Sequence, residues 1–278
     1  MIHARGCLRR KQPTNNEIIG YVMDVLGKIM AERRAAVLNA RVAVSESELE
    51  KAASQRVHHS LIDQLRNASS TAIIAEVKKA SPSAGILRQD YDPAGIASGY
   101  EKAGAVGISV LTEPVHFLGS EADLRAVRDA VTLPVLRKDF ICDPYQVWEA
   151  AAWGADVVLL IAAALERQEM LLLYREAIAL GLDVLAEVHD AQELESVLSL
   201  ESAIIGVNSR NLKTLETDLG IARSLAGRIP PDRVRIAESG IKTRADIEEL
   251  TQHGYQGFLI GESLLRDISP ESALRDLL

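Results

Sequence analysis

Short apolar runs alternate with helical stretches eight times between Thr71 and the C-terminus, and this alternation constrains the fold more than any other feature. Apolar strands that alternate with amphipathic helices predict a parallel sheet, because each crossover helix covers one face of the sheet. Eight such units in unbroken succession favour an α/β fold of the closed (β/α)8 TIM barrel type over an open doubly wound sheet. No G-x-G-x-x-G sequence follows the first predicted strand, which also argues against a dinucleotide-binding sheet.

The predicted elements are short and evenly spaced. The strands are predicted at residues 72–78, 107–111, 135–138, 156–161, 183–187, 203–208, 234–238 and 257–260. The helices are predicted at residues 93–103, 121–130, 144–153, 166–180, 191–198, 218–226, 243–253 and 270–277. Three of these helices start with a proline, at the position where a first helical turn tolerates the missing N–H.

The residues before Thr71 predict a leader and a helical extension of the barrel. Residues 1–16 are basic and lack an apolar segment, so we expect a disordered leader and no secretory signal. Residues 17–41 predict a first helix. Ser45 precedes Glu48 by the spacing of a capping box, which predicts a second helix from there to about Arg66. We therefore expect residues 17–278 to form a single barrel domain, with the helices of 17–66 packed on the barrel.

Composition excludes several classes of function. The formal net charge of −8 disfavours a general nucleic-acid-binding role. The longest apolar run, residues 157–165, is too short to cross a bilayer, so no membrane association is expected. Cys7 and Cys142 cannot form a disulfide framework, which favours a reducing compartment such as the cytoplasm. The histidines form no H-x-H or H-E-x-x-H pattern, so we expect no metal.

Polar side chains end several of the predicted strands, where barrel enzymes carry their chemistry. Side chains alternate along a strand, so Glu76 and Lys78 share the face of Ile74 and line the barrel mouth if Ile74 fills the interior. The same parity turns further strand-end side chains inward, namely Lys138, Glu187, Asn208 and Arg210, and Glu238 ends the seventh strand. Each alone is equally compatible with a surface ion pair, but their convergence on one rim predicts a site of acid–base chemistry.

Two glycine turns follow the last two strands. Ser239 and Gly240 follow the seventh strand, and Gly261 follows the eighth. Loops at these two places in barrels often hold phosphate with backbone N–H groups, and glycine lets the backbone approach the anion. A simple chain reversal explains either turn alone, whereas the pair predicts a phosphate site.

Five ordered motifs resemble the indole-3-glycerol phosphate synthase family. The motifs are Ala75-Glu76-Val77-Lys78-Lys79-Ala80-Ser81-Pro82-Ser83, Leu136-Arg137-Lys138-Asp139-Phe140, Glu187-Val188-His189, Gly206-Val207-Asn208-Ser209-Arg210-Asn211-Leu212 and Glu238-Ser239-Gly240-Ile241. The similarity runs from about Glu17 to the C-terminus. It implies a lyase of tryptophan biosynthesis that needs no cofactor. The implied reaction closes the ring of 1-(2-carboxyphenylamino)-1-deoxyribulose 5-phosphate, with loss of carbon dioxide and water.

The resemblance also implies roles for individual residues. Lys138 matches the family's general acid for ring closure, and Lys78 and Glu187 match its other catalytic positions. Glu76 and Asn208 match positions that orient the substrate and the lysines. The remaining matches are substrate contacts: Ser239, Gly240, Gly261 and Lys78 at the phosphate, and Ser81, Phe117, Phe140 and Arg210 in the pocket. Two points stay open, namely which lysine acts in the dehydration and whether Glu187 acts as an acid or a base.

Two other functions fit the sequence less well. Phosphoribosylanthranilate isomerase, another phosphate-binding barrel, would need a cysteine base at the end of the first strand, where this chain has Glu76-Val77-Lys78. A barrel that binds a phosphorylated ligand without turnover would not need the combined lysines and glutamates of the rim.

The resemblance further implies a monomer and an N-terminal segment that lies over part of the barrel mouth. The alternative for that segment is a brace at the side or bottom of the barrel.

Two departures from the family pattern concern the substrate loops. Ala84 stands where many members of the family have lysine, so a basic residue is missing near the first loop. Glu262 stands beside the predicted phosphate turn, where its carboxylate would repel the anion. We therefore expect the Glu262 side chain to point away from that turn.

Overall fold

A computed structural model describes residues 15–278 except positions 213 and 268. Eight parallel strands form a closed barrel in which each strand pairs with its sequence neighbours and the last pairs with the first. The predicted (β/α)8 barrel is therefore confirmed. Positions 1–14 of the predicted leader lie outside the described residues, and the first helix is described from Asn15, two positions before its predicted start.

The strand bounds agree with the predicted ones to within a residue or two. The barrel strands are β1 Ala72–Val77, β2 Gly107–Leu111, β3 Val135–Lys138, β4 Val157–Ile161, β5 Asp183–Val188, β6 Ile204–Asn208, β7 Arg235–Glu238 and β8 Gly257–Ile260. A small hairpin after β1 was not predicted, and it pairs Ala80–Ser81 with Gly85–Ile86. A 3-10 turn at Ala162–Ala164 follows β4.

The helices surround the barrel and extend it at the N-terminal end. They are α1 Asn15–Ala43, α2 Glu46–Ala53, α3 Leu61–Asn67, α4 Pro93–Ala103, α5 Glu121–Ala130, α6 Pro144–Trp153, α7 Arg167–Ala179, α8 Ala191–Val197, α9 Gly220–Ala226, α10 Arg244–Gln252, α11 Glu262–Leu265 and α12 Pro270–Leu277. Proline occupies the first turn of α4, α6 and α12, as predicted. No helix in the described part of the chain is long and apolar enough to cross a membrane.

Alternate strand residues divide the core into two layers. Ile74, Leu136, Leu185 and Ile236 fill the barrel interior, whereas neighbours such as Ile73 pack outward against the helices. The interior residues alternate along each strand in step with the strand-end residues that the sequence predicts at the rim. The strand-end residues that follow the interior side chains therefore stand at the carboxyl-terminal mouth of the barrel.

The second predicted helix is wrong in its length. The capping box of Ser45 and Glu48 is confirmed, but α2 ends at Ala53 and a separate helix, α3, starts after its N-cap Ser60. The chain between them is tied to the barrel instead: Arg56 donates to the carbonyls of Leu180 and Gly181. These bonds compete with the helical pattern that the sequence suggests.

Helix α3 closes the bottom of the barrel. Leu61 and Leu65 are buried against Ala72, Ile74 and other interior side chains. Glycine makes this closure possible, because a Cβ at Gly107 would lie 3.0 Å from Cδ1 of Leu61. Part of the N-terminal segment, α3, therefore braces the bottom of the barrel, which is one of the two positions considered for that segment.

Helix α1 lies at the opposite end, along one side of the mouth. Arg33 Nη2 donates to Asp139 Oδ2 at 2.7 Å, just beyond the end of β3. His116, in the loop after β2, lies 2.8 Å from the Glu32 carboxylate. The extension therefore contacts both ends of the barrel. The apolar spacing of α1 predicts a packed Leu38, but Leu38 is 68% exposed, and the adjacent Val37 faces the protein instead.

Candidate active site

Six charged or amide side chains from five strands meet inside the mouth. They are Glu76, Lys78, Lys138, Glu187, Asn208 and Glu238, and all but Lys138 are buried, while the Lys138 side chain is 15% exposed. Buried charges are costly unless they are paired. The structure brings together all five residues that the family resemblance assigned to catalysis, and Glu238, predicted at the same rim, lies among them.

Lys138 is the centre of this cluster. Its Nζ lies 3.2 Å from Glu187 Oε2 and 3.2 Å from Glu238 Oε2. Burial opposes the charge on Lys138, but the carboxylates of Glu238, Glu187 and Glu76 outweigh it and raise the pKa of the ammonium above its usual value. Lys138 is therefore held as a protonated acid at neutral pH.

The two carboxylates beside Lys138 differ in their proton affinity. Burial opposes ionisation of Glu187, but Lys138, His189 and Asn208 lower its pKa well below the usual value. For Glu238, burial and the repulsion from Glu187 exceed the attraction of Lys138 and raise the pKa to about 7. Pairs of groups whose pKa values are pushed apart are typical of acid–base sites. Glu187 is therefore the ionised member of the pair.

A second ion pair joins Lys78 to Glu76 at the end of β1. The glycine at the end of β8 makes room for it: a Cβ at Gly261 would clash with the Glu76 carboxylate and would lie 2.8 Å from the Cβ of Glu76. In the same way, a Cβ at Gly206 would clash with Glu238. The sequence predicts only a phosphate-binding role for Gly261. The close approach of Glu76, which needs a residue without a Cβ, is visible only in the structure.

The predicted phosphate loops follow β7 and β8, and β8 is the neighbour of β1, whose end carries Lys78. Ser239 and Gly240 both have positive φ, 62° and 82°, so the chain turns sharply after β7. Helix α11 begins directly after Gly261. The Glu262 carboxylate is held by Arg266 at 2.9 Å and by Arg210 at 3.5 Å. Arg210, a predicted pocket residue, is thus partly engaged by the protein itself.

The remaining predicted contacts lie on loops around the mouth. Phe117 and Phe140 follow β2 and β3, and their ring centroids are 6.1 Å apart. Ser81 is buried in the hairpin after β1, where its hydroxyl accepts from the Ala84 N–H. Glu113, which the sequence analysis missed, accepts the backbone N–H groups of residues 115–117 and so positions Phe117. Its position just after a strand was the available signal.

No group of three or more His, Cys, Asp or Glu side chains within the described residues is arranged to hold a metal ion. Cys142 lies after β3, and burial raises the pKa of its thiol to about 11. It therefore cannot serve as the cysteine base that the isomerase would need at the end of β1.

Comparison with known proteins decides the family. The family model for indole-3-glycerol phosphate synthase matches residues 26–277. A curated indole-3-glycerol phosphate synthase of Desulfosudis oleivorans is 45% identical over 259 residues, which are 92% of this chain and 98% of that protein. The chain belongs to the indole-3-glycerol phosphate synthase family. Its activity is that of this carboxy-lyase of tryptophan biosynthesis, and its substrate is a phosphorylated small molecule.

Solved structures resemble the chain in fold. A thiamine phosphate pyrophosphorylase from Pyrococcus furiosus aligns with a TM-score of 0.56 at 15% identity, over 78% of this chain and 96% of its own. A designed cube-shaped protein cage made from fused symmetric oligomeric domains aligns with a TM-score of 0.53 at 16% identity, over 75% of this chain and 70% of its own. At these identities the similarity is one of barrel architecture.

Proposed function

We propose that Lys138 is the general acid of ring closure in the synthesis of indole-3-glycerol phosphate by this chain. The observation that carries the proposal is the position of its Nζ, 3.2 Å from both Glu187 and Glu238 at the barrel mouth. The aryl carbon of the substrate attacks the ketone carbon, and the carbonyl oxygen takes a proton from Lys138. Loss of carbon dioxide returns the electron pair of the broken C–C bond to the ring.

The dehydration then needs a second acid and a base. We assign the base to Glu187, which its neighbours keep ionised, so that it accepts the proton from the carbon next to the departing hydroxyl. The acid is Lys78, the other ammonium of the rim, which is paired with Glu76. Donation from Lys78 lets the hydroxyl leave as water. Asn208 is assigned to orient Glu187, since it is a neighbouring polar group that lowers the pKa of the Glu187 carboxyl.

Substrate binding is assigned to the loops around these groups. Backbone N–H groups at Ser239, Gly240 and Gly261 take the phosphate together with Lys78, because the two turns and the ammonium lie at neighbouring strand ends. Phe117 and Phe140 supply an apolar wall for the aromatic ring. Ser81, which follows β1, and Arg210, which follows β6, provide polar contacts.

The experiment that tests this function is direct turnover. Purified protein is incubated with 1-(2-carboxyphenylamino)-1-deoxyribulose 5-phosphate, and the indole product is followed by its fluorescence, with carbon dioxide measured in parallel. Equal amounts of both products are expected. Binding of the substrate without formation of indole would instead support the barrel that binds a phosphorylated ligand without turnover.

Replacement of Glu187 by glutamine is expected to lower kcat by about 10²–10⁴-fold, since an amide cannot accept the proton. KM should change little. The matched control is Glu195→Gln on the exposed face of α8, which should leave both constants unchanged. A Glu187→Gln variant with the kcat of the unmodified enzyme would remove Glu187 from the chemistry.

Removal of residues 1–45 is expected to raise KM or abolish activity, because α1 borders the mouth through Arg33 and Glu32. The truncated chain should retain the circular dichroism spectrum of an α/β protein. Arg33→Met should reproduce part of the rise in KM, whereas Arg34→Met, which removes only an exposed pair with Glu169, should not. Unchanged kcat/KM in a folded truncation would show that α1 merely braces the barrel.

We also propose that the chain acts as a monomer in the cytoplasm. The biosynthetic role of the family supports the location. Many large exposed apolar side chains of the described region, such as Val57, Leu172 and Leu215, lie on different elements and do not by themselves require a partner. Light scattering coupled to size-exclusion chromatography tests the mass, and a value of two chains would contradict the monomer.

A further inference from the structure

His189 is a mostly buried histidine that no step of the proposed reaction uses. It follows the last residue of β5, and its side chain is 10% exposed. Its Nε2 lies 3.3 Å from Glu187 Oε1, and its Nδ1 lies 3.0 Å from Glu193 Oε2. A carboxylate therefore faces each ring nitrogen.

The local chain geometry fixes this arrangement. Asp190 caps α8, and Glu193 in the first turn of that helix points back toward the end of β5. The Glu193 carboxylate accepts both the backbone N–H of His189, at 2.8 Å, and the ring Nδ1–H. Glu193 therefore fixes both the backbone and the ring of His189, and the ring places its Nε2 beside Glu187.

An imidazole with a carboxylate near each nitrogen is stabilised in its charged form, because only that form carries a proton on both nitrogens. Burial opposes that charge, but Glu187 and Glu193 outweigh it and raise the pKa of His189 to about 10. These two carboxylates are the charged groups that act on the ring. His189 is therefore an imidazolium at the pH of the cell.

The charged ring acts on Glu187 from the side opposite Lys138. Lys138 donates a hydrogen bond to Oε2 of Glu187, and His189 Nε2 lies 3.3 Å from Oε1. Without His189, the carboxylates of Glu76, Glu187 and Glu238 would share only the two ammonium groups of Lys78 and Lys138. One carboxylate would then take up a proton more readily, and Glu187 would no longer be clearly the ionised member of the pair.

We propose that His189, fixed by Glu193, is a positioning residue for indole formation: it orients the Glu187 carboxylate and keeps it ionised beside Lys138. The inference rests on the proposed role of Glu187 as the base of the dehydration. It adds a second cation to that base and extends the functional site from the mouth of the barrel to the first turn of α8.

The first test is the pH dependence of kcat in His189→Gln. An opposite charge at this distance shifts a carboxyl pKa by about 1–3 units. Loss of that cation should raise the lowered pKa of Glu187, so the acidic limb of the kcat profile, which the unmodified enzyme should show only at very low pH, should begin about 1–3 units higher in the variant. About one pH unit below the new limb, kcat should be about tenfold lower than in the unmodified enzyme, whereas KM should stay within about twofold, since His189 contacts Glu187 and Glu193 and is not among the proposed substrate contacts. Glu193→Gln should shift the limb in the same direction by less, and Glu195→Gln should not shift it.

A merely structural role predicts a different result. It would lower the melting temperature, or kcat at every pH, without moving the limb. A folded His189→Gln variant with the unmodified pH profile would overturn the inference. If that variant does not fold, Glu193→Gln decides, because it retains the histidine and removes only the group that fixes it; an unmoved limb there would equally overturn the inference.

A second test needs no turnover. In ¹⁵N NMR spectra of the unmodified enzyme, assigned with the His189→Gln variant, the His189 imidazole should remain charged from pH 6 to pH 9 and lose charge within that range in Glu193→Gln. A neutral imidazole at pH 8 in the unmodified enzyme would overturn the inference. Failure of the proposed function is recognised separately: full activity of Glu187→Gln would refute the base, whereas impaired Glu187→Gln with unaltered His189→Gln refutes only the role of His189.

Discussion

Replacement of Lys138 by methionine is expected to lower kcat for indole-3-glycerol phosphate formation by about 10²–10⁴-fold, the usual contribution of a positioned proton donor. KM should change much less, because proton donation stabilises the transition state more than the bound substrate. Steady-state kinetics with the indole product followed by fluorescence measure both constants. The methionine side chain fills nearly the same volume as the lysine stem, so the packing around it is retained.

Loss of the ammonium leaves Glu187 and Glu238 face to face, but the fold should survive. The pKa of Glu238 is already raised to about 7, so this carboxyl can take up a proton and relieve the repulsion. A melting curve and a circular dichroism spectrum check that expectation. Lys102→Met, on the exposed surface of α4, is the matched control and should leave kcat and the melting temperature unchanged. A folded Lys138→Met variant with near-normal kcat would show that another group protonates the forming alkoxide.

The alternation of strands and helices predicted the architecture because it follows from local physical chemistry. A strand that contains Ile74-Ala75-Glu76 places its glutamate two positions beyond the interior residue, on the same face. Parity and the rule that barrel chemistry lies at the carboxyl ends of strands were enough to predict the rim. They were not enough to say that Glu238 would face Lys138, because that contact joins strands separated by 100 residues.

The errors in the N-terminal extension have a different origin. A continuous helix from Ser45 to Arg66 agrees with the local pattern, but the carbonyls at the bottom of the barrel bind Arg56, and the Asp156 carboxylate binds the His59 backbone N–H. These tertiary bonds break the helix into α2 and α3. In the same way, Leu38 satisfies the apolar spacing of α1, yet Val37 is the residue that meets the protein. Local sequence does not indicate which side of a long helix meets a partner element.

The contacts of His189 are the part of the site that the sequence pattern predicts least well. The Glu187-Val188-His189 motif was recognised, but alternation in a strand makes residues two apart share a face only while the strand continues. Here the strand ends at Val188, and the capped start of α8 returns Glu193 toward the ring. The resulting pair of carboxylates around one imidazole is a property of the turn.

Replacement of Gly261 by valine is expected to lower kcat/KM by about 10²-fold or more, the order of loss that follows a displacement of about 1 Å at a reacting group. A phosphate contact alone predicts a rise in KM with little change in kcat. The structure predicts that both constants change, because a Cβ at this position would lie 2.8 Å from the Cβ of Glu76 and clash with its carboxylate. Displacement of Glu76 also moves Lys78, the proposed acid of the dehydration.

Steady-state kinetics of Gly261→Ala and Gly261→Val separate these two effects. Alanine already introduces the Cβ, so it should lower kcat, and the larger valine should add most of the rise in KM by obstructing the backbone N–H groups at the phosphate. Gly227→Val is the matched control, because its φ of −74° suits any residue and nothing beyond its chain neighbours lies within 4 Å of the position that a Cβ would take there. A Gly261→Ala variant with unchanged kcat and a raised KM would mean that Gly261 serves the phosphate alone and that the Glu76–Lys78 pair tolerates the added side chain.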